Sequence, residues 1–252
     1  MKRIAAALTF FTRIPLWKWT EIPQEYYSSA VVFWPLTGWV TGSLTALLLW
    51  LAAQVFQMLP AVVIAITGRT LITGALHEDG LADFCDGFGG GTTKDRILAI
   101  MKDSHIGTYG VIGLIFYYLW YVSIVVSLPL EIAVAGIFAS DAFAKACAAQ
   151  IVNLLPYSRP EGAKNRISYE RMKIWQFLIV IISGLLPTCL LACLDVCLTI
   201  SIFAPILVIC LLIVYMRHKI GGYTGDCCGA ACLLCELSML AAVAMIYNFQ
   251  IL

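Results

Sequence analysis

Long apolar runs, separated by short polar segments, occupy most of the chain and set its predicted architecture. A helix that crosses the hydrocarbon core of a bilayer needs roughly 20 mostly apolar residues. Reading these runs against helix-breaking residues predicts about seven transmembrane spans. The predicted spans cover residues 31–58, 61–76, 107–128, 132–155, 174–194, 198–216 and 229–251. We therefore expect an all-α fold, a polytopic integral membrane helical bundle.

The N-terminal segment, MKRIAAALTFFTRIPLWKWT, is typical of a helix that lies in the membrane interface. Arg13 and Lys18 interrupt its apolar stretch, and no small-residue cleavage site follows, which argues against a signal peptide. We expect its aromatic side chains to insert among the lipid headgroups: Phe10, Phe11, Trp17 and Trp19. The connections between the spans are too short for a separate soluble domain, so residues 1–252 are expected to form one membrane domain.

Lysine and arginine are distributed unevenly between the two sides of the predicted bundle. If the N-terminus is inside, fourteen of the sixteen basic residues fall in cytoplasmic segments, which are 1–30, 77–106, 156–173 and 217–228. The opposite connections hold none. By the positive-inside rule, we expect a multi-pass protein of the cytoplasmic (inner) membrane whose segment 77–106 faces the cytoplasm.

The composition supports a membrane protein and excludes one large class of partners. Hydrophobic residues make up 61% of the chain and charged residues 12%, whereas soluble domains carry about 25% charged residues. The net charge of +1 leaves no basic stripe to neutralise phosphates, so nucleic acid is not an expected partner. Most of the ten cysteines lie in apolar runs, where they behave as small hydrophobic residues rather than as metal ligands.

One segment, HEDGLADFCDGFGGG at residues 77–91, concentrates negative charge in this apolar chain. If the second helix continues from Ala61 to about Asp86, the side chains of Asp79, Asp83 and Asp86 share one face at i, i+4 and i+7, with Glu78 at its edge. Carboxylates this close repel each other, and a hard divalent cation removes the repulsion. Mg²⁺ is favoured because it binds a few carboxylates together with waters and substrate phosphate oxygens. A solvated acidic helix end is the alternative, and the spacing of an EF-hand calcium loop is absent.

The residues after the acids suggest contacts with an anionic substrate. His77 opens the segment, and the glycines Gly89, Gly90 and Gly91 suit a backbone that approaches a phosphate closely, although a flexible connection explains them equally well. Thr92 or Thr93 is expected to cap a helix over residues 93–103. At the end of that helix lie Lys102, Asp103, Ser104 and His105. Lys102 suits either a phosphoryl group or the C-terminus of the helix.

Ionisable residues within the predicted spans are a second group of candidates. Asp141 and Lys145 are spaced i, i+4, which favours a structural ion pair. Arg69 and Glu236 also lie within spans, and a basic span residue is the expected partner of Glu236.

The acidic segment, read as LHEDGLADFCDGFGGG and followed by IMKDSHIGTYG, resembles the motif of the adenosylcobinamide-GDP ribazoletransferase (cobalamin synthase) family. Further similarity follows in chain order at LTFFTRIP, FWPLTGWVTG, PYSRPEG and GGYTGDCCGA, so the resemblance covers nearly the whole chain. His105 departs from the family pattern, in which Arg is expected.

The resemblance implies a Mg²⁺-dependent transferase at the last assembly stage of the cobalamin nucleotide loop. Its substrates would be adenosylcobinamide-GDP and α-ribazole or α-ribazole 5′-phosphate, with GMP released. Arg159 would contact phosphate, and Glu78, Asp79, Asp83 and Asp86 would bind the metal. The resemblance does not identify the base. We expect Asp103 or Asp226, with Asp103 preferred because its helix starts beside the glycines of the acidic segment and because Lys102 is its neighbour, and a metal-bound hydroxide is the alternative. The sequence is also compatible with a homo-oligomer.

Two other functional classes are weaker matches. The CDP-alcohol phosphotransferase motif matches at Asp83, Asp86 and Gly87, but Gly90 and Gly91 stand where that family requires Ala-Arg. A divalent-cation transporter would place its carboxylates near the bilayer midplane, often within repeated halves, and no internal repeat is evident here.

Overall fold

The computed structural model describes residues 2–19, 21–158, 169 and 171–251, and helices occupy most of this part of the chain. No β-strand is present within it, which confirms the all-α prediction. The α-helices are α1 (Lys2–Phe11), α2 (Glu25–Ser28), α3 (Trp34–Ala53), α4 (Met58–Thr73), α5 (Leu76–Gly90), α6 (Lys94–Ile100), α7 (Thr108–Val126), α8 (Leu130–Leu154), α9 (Ile174–Leu185), α10 (Thr188–Leu194), α11 (Phe203–Ile220) and α12 (Gly225–Ile251).

The long helices agree with the predicted membrane spans. Six helical segments of the described chain are long and apolar enough to cross a bilayer: Ala30–Ala53, Thr108–Val126, Leu130–Leu154, Ile174–Leu194, Val196–Ile220 and Gly225–Gln250. The count rises to seven if α4 and α5 together form one span. The protein is therefore a polytopic all-α membrane protein, as expected.

The predicted continuous helix from Ala61 to Asp86 is wrong, because the chain bends by 89° between α4 and α5. Gly74 and Ala75 both adopt positive φ angles, of 66° and 59°, and Gly74 caps the end of α4. The N-terminal segment packs at this bend, where the backbone N–H of Arg13 donates to the carbonyl of Ile72 at 2.6 Å. The acids therefore lie on a separate helix whose direction is set by the bend.

The core of the bundle is built around α8, whose span is 83% buried. Helices α3, α9 and α12 pack around it. A Cβ atom at Gly38 of α3 would lie 2.6 Å from the Cα of Ala142, so only glycine permits this approach. Small residues that allow two helix backbones to meet are the usual basis of helix packing within a membrane.

The first helix contributes to the bundle rather than lying wholly among lipid headgroups. Phe11 is buried, with 3% of its surface exposed, and its ring contacts the rings of Trp34 and His77. The headgroup prediction is therefore wrong for Phe11. Trp19 is 76% exposed, as an interfacial residue would be, and the side chain of Trp17 lies outside the described part.

Buried ion pairs lie both between and within the helices of the bundle. Arg69 Nη1 donates to both carboxylate oxygens of Glu236, at 2.7 and 2.8 Å, and its Nη2 donates to the hydroxyl of Tyr117 at 2.8 Å. Lys145 pairs with Asp141 on α8, and Asp141 also accepts a hydrogen bond from Thr41 of α3. The predicted Asp141–Lys145 pair is confirmed, and the partner of Glu236 is Arg69.

Candidate active site

A cavity of about 160 Å³ lies where the first turns of α5 and α12 meet α1 and α3. Two carboxylates, those of Asp79 and Asp226, line it together with His77. Asp79 is exposed, Asp226 is half-buried and His77 is 4% exposed. Two acids that lie 147 positions apart in the chain thus face one space, which makes this cavity the candidate active site.

Glycine residues allow α5 and α12 to come close enough to share the cavity. A Cβ atom at Gly80 would lie 2.9 Å from the carbonyl oxygen of Asp226, and one at Gly229 would lie 3.4 Å from the Cα of Gly80. A larger residue at position 80 would push the two helices apart. Asp226 itself belongs to the first turn of α12, where it accepts a hydrogen bond from Thr224 Oγ1 at 3.2 Å.

Glu78 points away from this cavity and into the buried ion-pair network. Its Oε1 lies 3.6 Å from Arg69 Nη2 and accepts a hydrogen bond from Thr70 Oγ1 at 3.5 Å. Only 5% of the residue is exposed. Its charge is thus balanced by Arg69, which also pairs with Glu236.

Asp86 caps the N-terminus of α7. Its carboxylate accepts hydrogen bonds from the backbone N–H groups of Gly107 at 2.7 Å and Gly110 at 2.8 Å. These are donors that a helix start leaves without partners inside the helix, and the positive end of the helix dipole favours a carboxylate there. Asp86 is 7% exposed, and Asp83, between it and Asp79, is half-buried.

The four predicted metal ligands therefore do not converge on one point, because the helix points Glu78 towards Arg69 and Asp86 towards α7. Within the described residues, no group of three or more His, Cys, Asp or Glu side chains has the arrangement of a metal site. Mg²⁺ commonly binds through only one or two carboxylates, with waters and substrate phosphates completing its shell. Asp79 at the cavity and Asp83, one turn further along α5, would supply such a smaller donor set.

The glycines after the acids are used in packing between helices. Gly89 and Gly90 form the last turn of α5, and Gly91 ends the helix. A Cβ atom at Gly91 would lie 2.8 Å from the Cα of Ile97, so glycine allows α6 to pack against the end of α5. Thr93 caps α6 by accepting a hydrogen bond from the N–H of Arg96 at 3.3 Å, as predicted, although α6 ends at Ile100 rather than at Asp103.

The polar residues after α6 are exposed and do not line the cavity: Lys102, Asp103, Ser104 and His105. His105 Nδ1 lies 2.7 Å from Asp103 Oδ1, and the backbone N–H of His105 donates to the same oxygen at 3.1 Å. These two hydrogen bonds lower the pKa of Asp103, and the Asp103 carboxylate raises the pKa of His105. The partner of His105 is thus its neighbour, and Arg159 lies outside the described residues.

Several residues that form the cavity were missed by the sequence analysis. They are aromatic or small residues from four separate parts of the chain: Phe10, Trp34, Tyr169, Gly225 and Cys228. No local spacing distinguishes them from ordinary core residues. The resemblance at LTFFTRIP, FWPLTGWVTG and GGYTGDCCGA pointed to the segments of all of them except Tyr169.

Comparisons with known proteins find similarity to one family over nearly the whole chain. The family model for cobalamin-5-phosphate synthase matches residues 3–244. Adenosylcobinamide-GDP ribazoletransferase from Shewanella sp. (strain W3-18-1) is 35% identical over 239 residues, covering 92% of this chain and 89% of the relative. The protein of the same name from Shewanella baltica (strain OS185) is 34% identical over 250 residues, covering 96% and 93% of the two chains. No solved structure gives a significant match.

Proposed function

This chain belongs to the cobalamin-5-phosphate synthase family, a group of enzymes in cobalamin nucleotide-loop assembly, and on that premise we propose that it is a Mg²⁺-dependent adenosylcobinamide-GDP ribazoletransferase. Its substrates are adenosylcobinamide-GDP and α-ribazole or α-ribazole 5′-phosphate. The observation that carries the proposal is the cavity that Asp79 and Asp226 share. A CDP-alcohol phosphotransferase or a cation transporter has no comparable observation in its favour.

The reaction is a transfer of a substituted phosphate group. A ribose hydroxyl of the ribazole forms a bond to the phosphorus that carries cobinamide, and the bond from that phosphorus to the oxygen of GMP breaks. The hydroxyl loses a proton, and GMP leaves with the bridging oxygen and its electron pair. Such transfers depend on positioning and on compensation of negative charge.

The metal site of this proposal uses α5. Asp79, with Asp83 one turn further along the same helix face, would hold Mg²⁺. When bound, the ion offsets charge on the diphosphate and on the leaving GMP. Asp86 and Glu78 serve instead to hold α7 and Arg69, and so fix the direction of α5.

Asp226 is better placed than Asp103 to take the proton from the hydroxyl. It lines the cavity together with Asp79, whereas Asp103 lies in an exposed turn and accepts two hydrogen bonds from His105. A positioned carboxylate base contributes about 10²–10⁴-fold to a rate. Lys102, Ser104, His105 and Arg159 remain candidates for contacts with the phosphates of a substrate too large for the cavity alone.

The cavity is proposed to face the cytoplasm of a cell with an inner membrane. The positive-inside distribution supports this orientation, since the segments that adjoin the cavity carry most of the lysine and arginine. The orientation requires α4 to cross the bilayer, which makes seven spans in total.

The direct test is turnover by the purified protein in nanodiscs. Wild-type protein supplied with adenosylcobinamide-GDP, α-ribazole and Mg²⁺ should release GMP in a one-to-one ratio with the cobalamin product, and chelation of Mg²⁺ should stop the release. Asp79→Asn should lose this activity while remaining folded. Absence of GMP release from a folded, metal-supplied wild type would overturn the proposed function.

A further inference from the structure

A groove on the outside of the bundle lies between α9 and α11, with α8 as its floor. Helices α9 and α11 both pack on α8 but make few contacts with each other, which leaves the space between them open. The groove has a volume of about 290 Å³ and is lined by apolar side chains apart from Gln150, whose amide nitrogen donates to the carbonyl of Ala146 at 3.1 Å. An apolar cavity of about 150 Å³ accepts benzene, so this groove suits a larger hydrocarbon group.

The length of the groove corresponds to one leaflet of a bilayer. Measured along α8, it extends from Phe143 to Leu154, the last residue of that helix. This stretch is roughly 16 Å long at about 1.5 Å per residue. Half of a hydrocarbon core of about 30 Å is about 15 Å, which is the depth that one acyl chain of a phospholipid reaches. The groove therefore has the length of an acyl chain, with its mouth where α8 ends.

Two basic side chains lie at this mouth, where α8 and α11 end and α9 begins. Lys173 is the N-cap residue of α9, one turn before Phe177, which lines the groove. Arg217 follows the lining residue Ile213 by one turn of α11, and its Nη2 donates to the carbonyl of Leu154 on the rim at 3.1 Å. Both basic residues are exposed, and among the described residues neither forms an ion pair with a carboxylate. An apolar groove thus opens onto uncompensated positive charge.

We propose that this groove is a binding site for an anionic phospholipid, with one acyl chain over α8 and the phosphate at the mouth, near Lys173 and Arg217. Basic pockets between transmembrane helices bind the headgroups of such lipids. The exposed Trp175, in the first turn of α9, suits the headgroup level at which tryptophan is enriched. No residue lines both this groove and the active-site cavity, so the site is independent of the proposed reaction.

Titration with lipid tests whether the site exists and which part of the lipid it binds. A ligand that binds only the folded protein raises its Tm. The purified full chain in a neutral detergent should therefore gain stability when phosphatidylglycerol is added, at a lower concentration than is needed with phosphatidylcholine, which has no net charge. Glycerol 3-phosphate has the phosphate without acyl chains and should give no gain. Equal responses to the two lipids, or a gain from glycerol 3-phosphate that equals the gain from phosphatidylglycerol, would overturn the proposal.

Removal of the two charges tests the headgroup contact. Attraction of an anionic lipid corresponds to roughly fivefold in affinity for each basic residue, or about 30-fold for two. Lys173→Gln/Arg217→Gln should raise the phosphatidylglycerol concentration for half of the Tm gain by up to that factor. Lys2→Gln/Arg3→Gln is the matched control, because it removes the same two charges from the exposed start of α1, away from the groove, and should shift this concentration by less than about twofold. Equal shifts in the two double variants would show a general effect of surface charge and overturn the site.

Filling the groove tests the acyl-chain contact. Cys210 is exposed and lines the groove, so Cys210→Trp places an indole ring where the chain would lie and should abolish the Tm gain from phosphatidylglycerol. Leu211→Trp is the control, because Leu211 is 61% exposed and does not line the groove, and it should keep the gain. A Cys210→Trp protein that responds to phosphatidylglycerol as wild type does would overturn the proposal. Light scattering without added lipid identifies the other occupant: a wild-type dimer that Cys210→Trp converts to a monomer would make the groove a subunit interface instead of a lipid site.

Discussion

Asp86 offers the sharpest test of how the acidic segment is used, because the structure makes it a helix cap rather than a metal ligand. Asp86→Asn keeps one carbonyl oxygen but replaces the other acceptor with an NH₂ group. Of the two backbone donors, Gly107 N–H at 2.7 Å and Gly110 N–H at 2.8 Å, one then faces another donor. The substitution also removes a negative charge from the N-terminus of α7.

The expected loss of stability is the sum of these two effects. A buried N–H without a partner costs about 1–3 kcal/mol. Loss of the charge at the helix N-terminus costs about 0.3–1 kcal/mol. The total of roughly 1.3–4 kcal/mol corresponds to a fall in Tm of about 3–16 °C for a chain of this size. Asp79→Asn is the matched control, because Asp79 is exposed and a surface change of this kind stays within about 0.5 kcal/mol.

The assay is thermal unfolding in nanodiscs with and without Mg²⁺, followed by intrinsic fluorescence, together with GMP release. Asp86→Asn should lower the Tm in the absence of metal, whereas Asp79→Asn should leave that Tm unchanged and lose the additional stability that Mg²⁺ provides. If Asp86→Asn keeps the metal-free Tm of wild type and loses only its response to Mg²⁺, the capping interpretation is wrong and Asp86 is a metal ligand.

Three further predictions concern other parts of the molecule. Glu236→Leu should destabilise the protein by up to about 3–5 kcal/mol because it removes the closest partner of the buried Arg69, and Arg69→Met/Glu236→Leu should recover little of this loss in denaturation measurements because it leaves the buried Glu78 without a positive partner. A reporter fused after the C-terminal residue should lie on the periplasmic side, and a cytoplasmic reporter would show that α4 does not span the membrane. Asp103→Asn should return the raised pKa of His105 towards its ordinary value in a histidine titration by NMR. In wild type, the Asp103–His105 interaction should weaken as the pH rises through the raised pKa of His105 and as it falls through the lowered pKa of Asp103.

The spans were predictable because the bilayer requires long apolar helices, and the sequence pattern reports that requirement directly. The bend between α4 and α5 was not predictable in the same way. Gly74 is a common helix terminator, but Ala75 rarely adopts a positive φ, and the contact that accompanies it comes from Arg13, 62 positions earlier. Contacts between residues this far apart do not affect the pattern of apolar and polar positions from which helices are predicted.

The neighbours that each acidic side chain contacts were also not predictable, although a helical conformation for these residues was predicted. Spacing placed Asp79, Asp83 and Asp86 on one helical face, and the structure keeps them on one helix, α5. Asp79 and Asp86 lie about two helical turns apart on that face, so their side chains contact different neighbouring helices. Asp86 meets the start of α7, whereas Asp79 meets the start of α12, and only the packing of those helices decides the difference.

Placing four carboxylates in an apolar protein carries an unfavourable free energy of desolvation and repulsion. The structure offsets it in two ways, by partners within the fold and by water. Glu78 and Asp86 are buried, and each has a positive partner supplied by the fold, namely the Arg69 guanidinium and the N-terminus of α7. Their charges therefore need no ligand. Asp79 is exposed and lines the cavity, where water stabilises its charge. The acidic segment therefore has two roles. Glu78 and Asp86 orient α5, and Asp79 lines the cavity that it shares with Asp226.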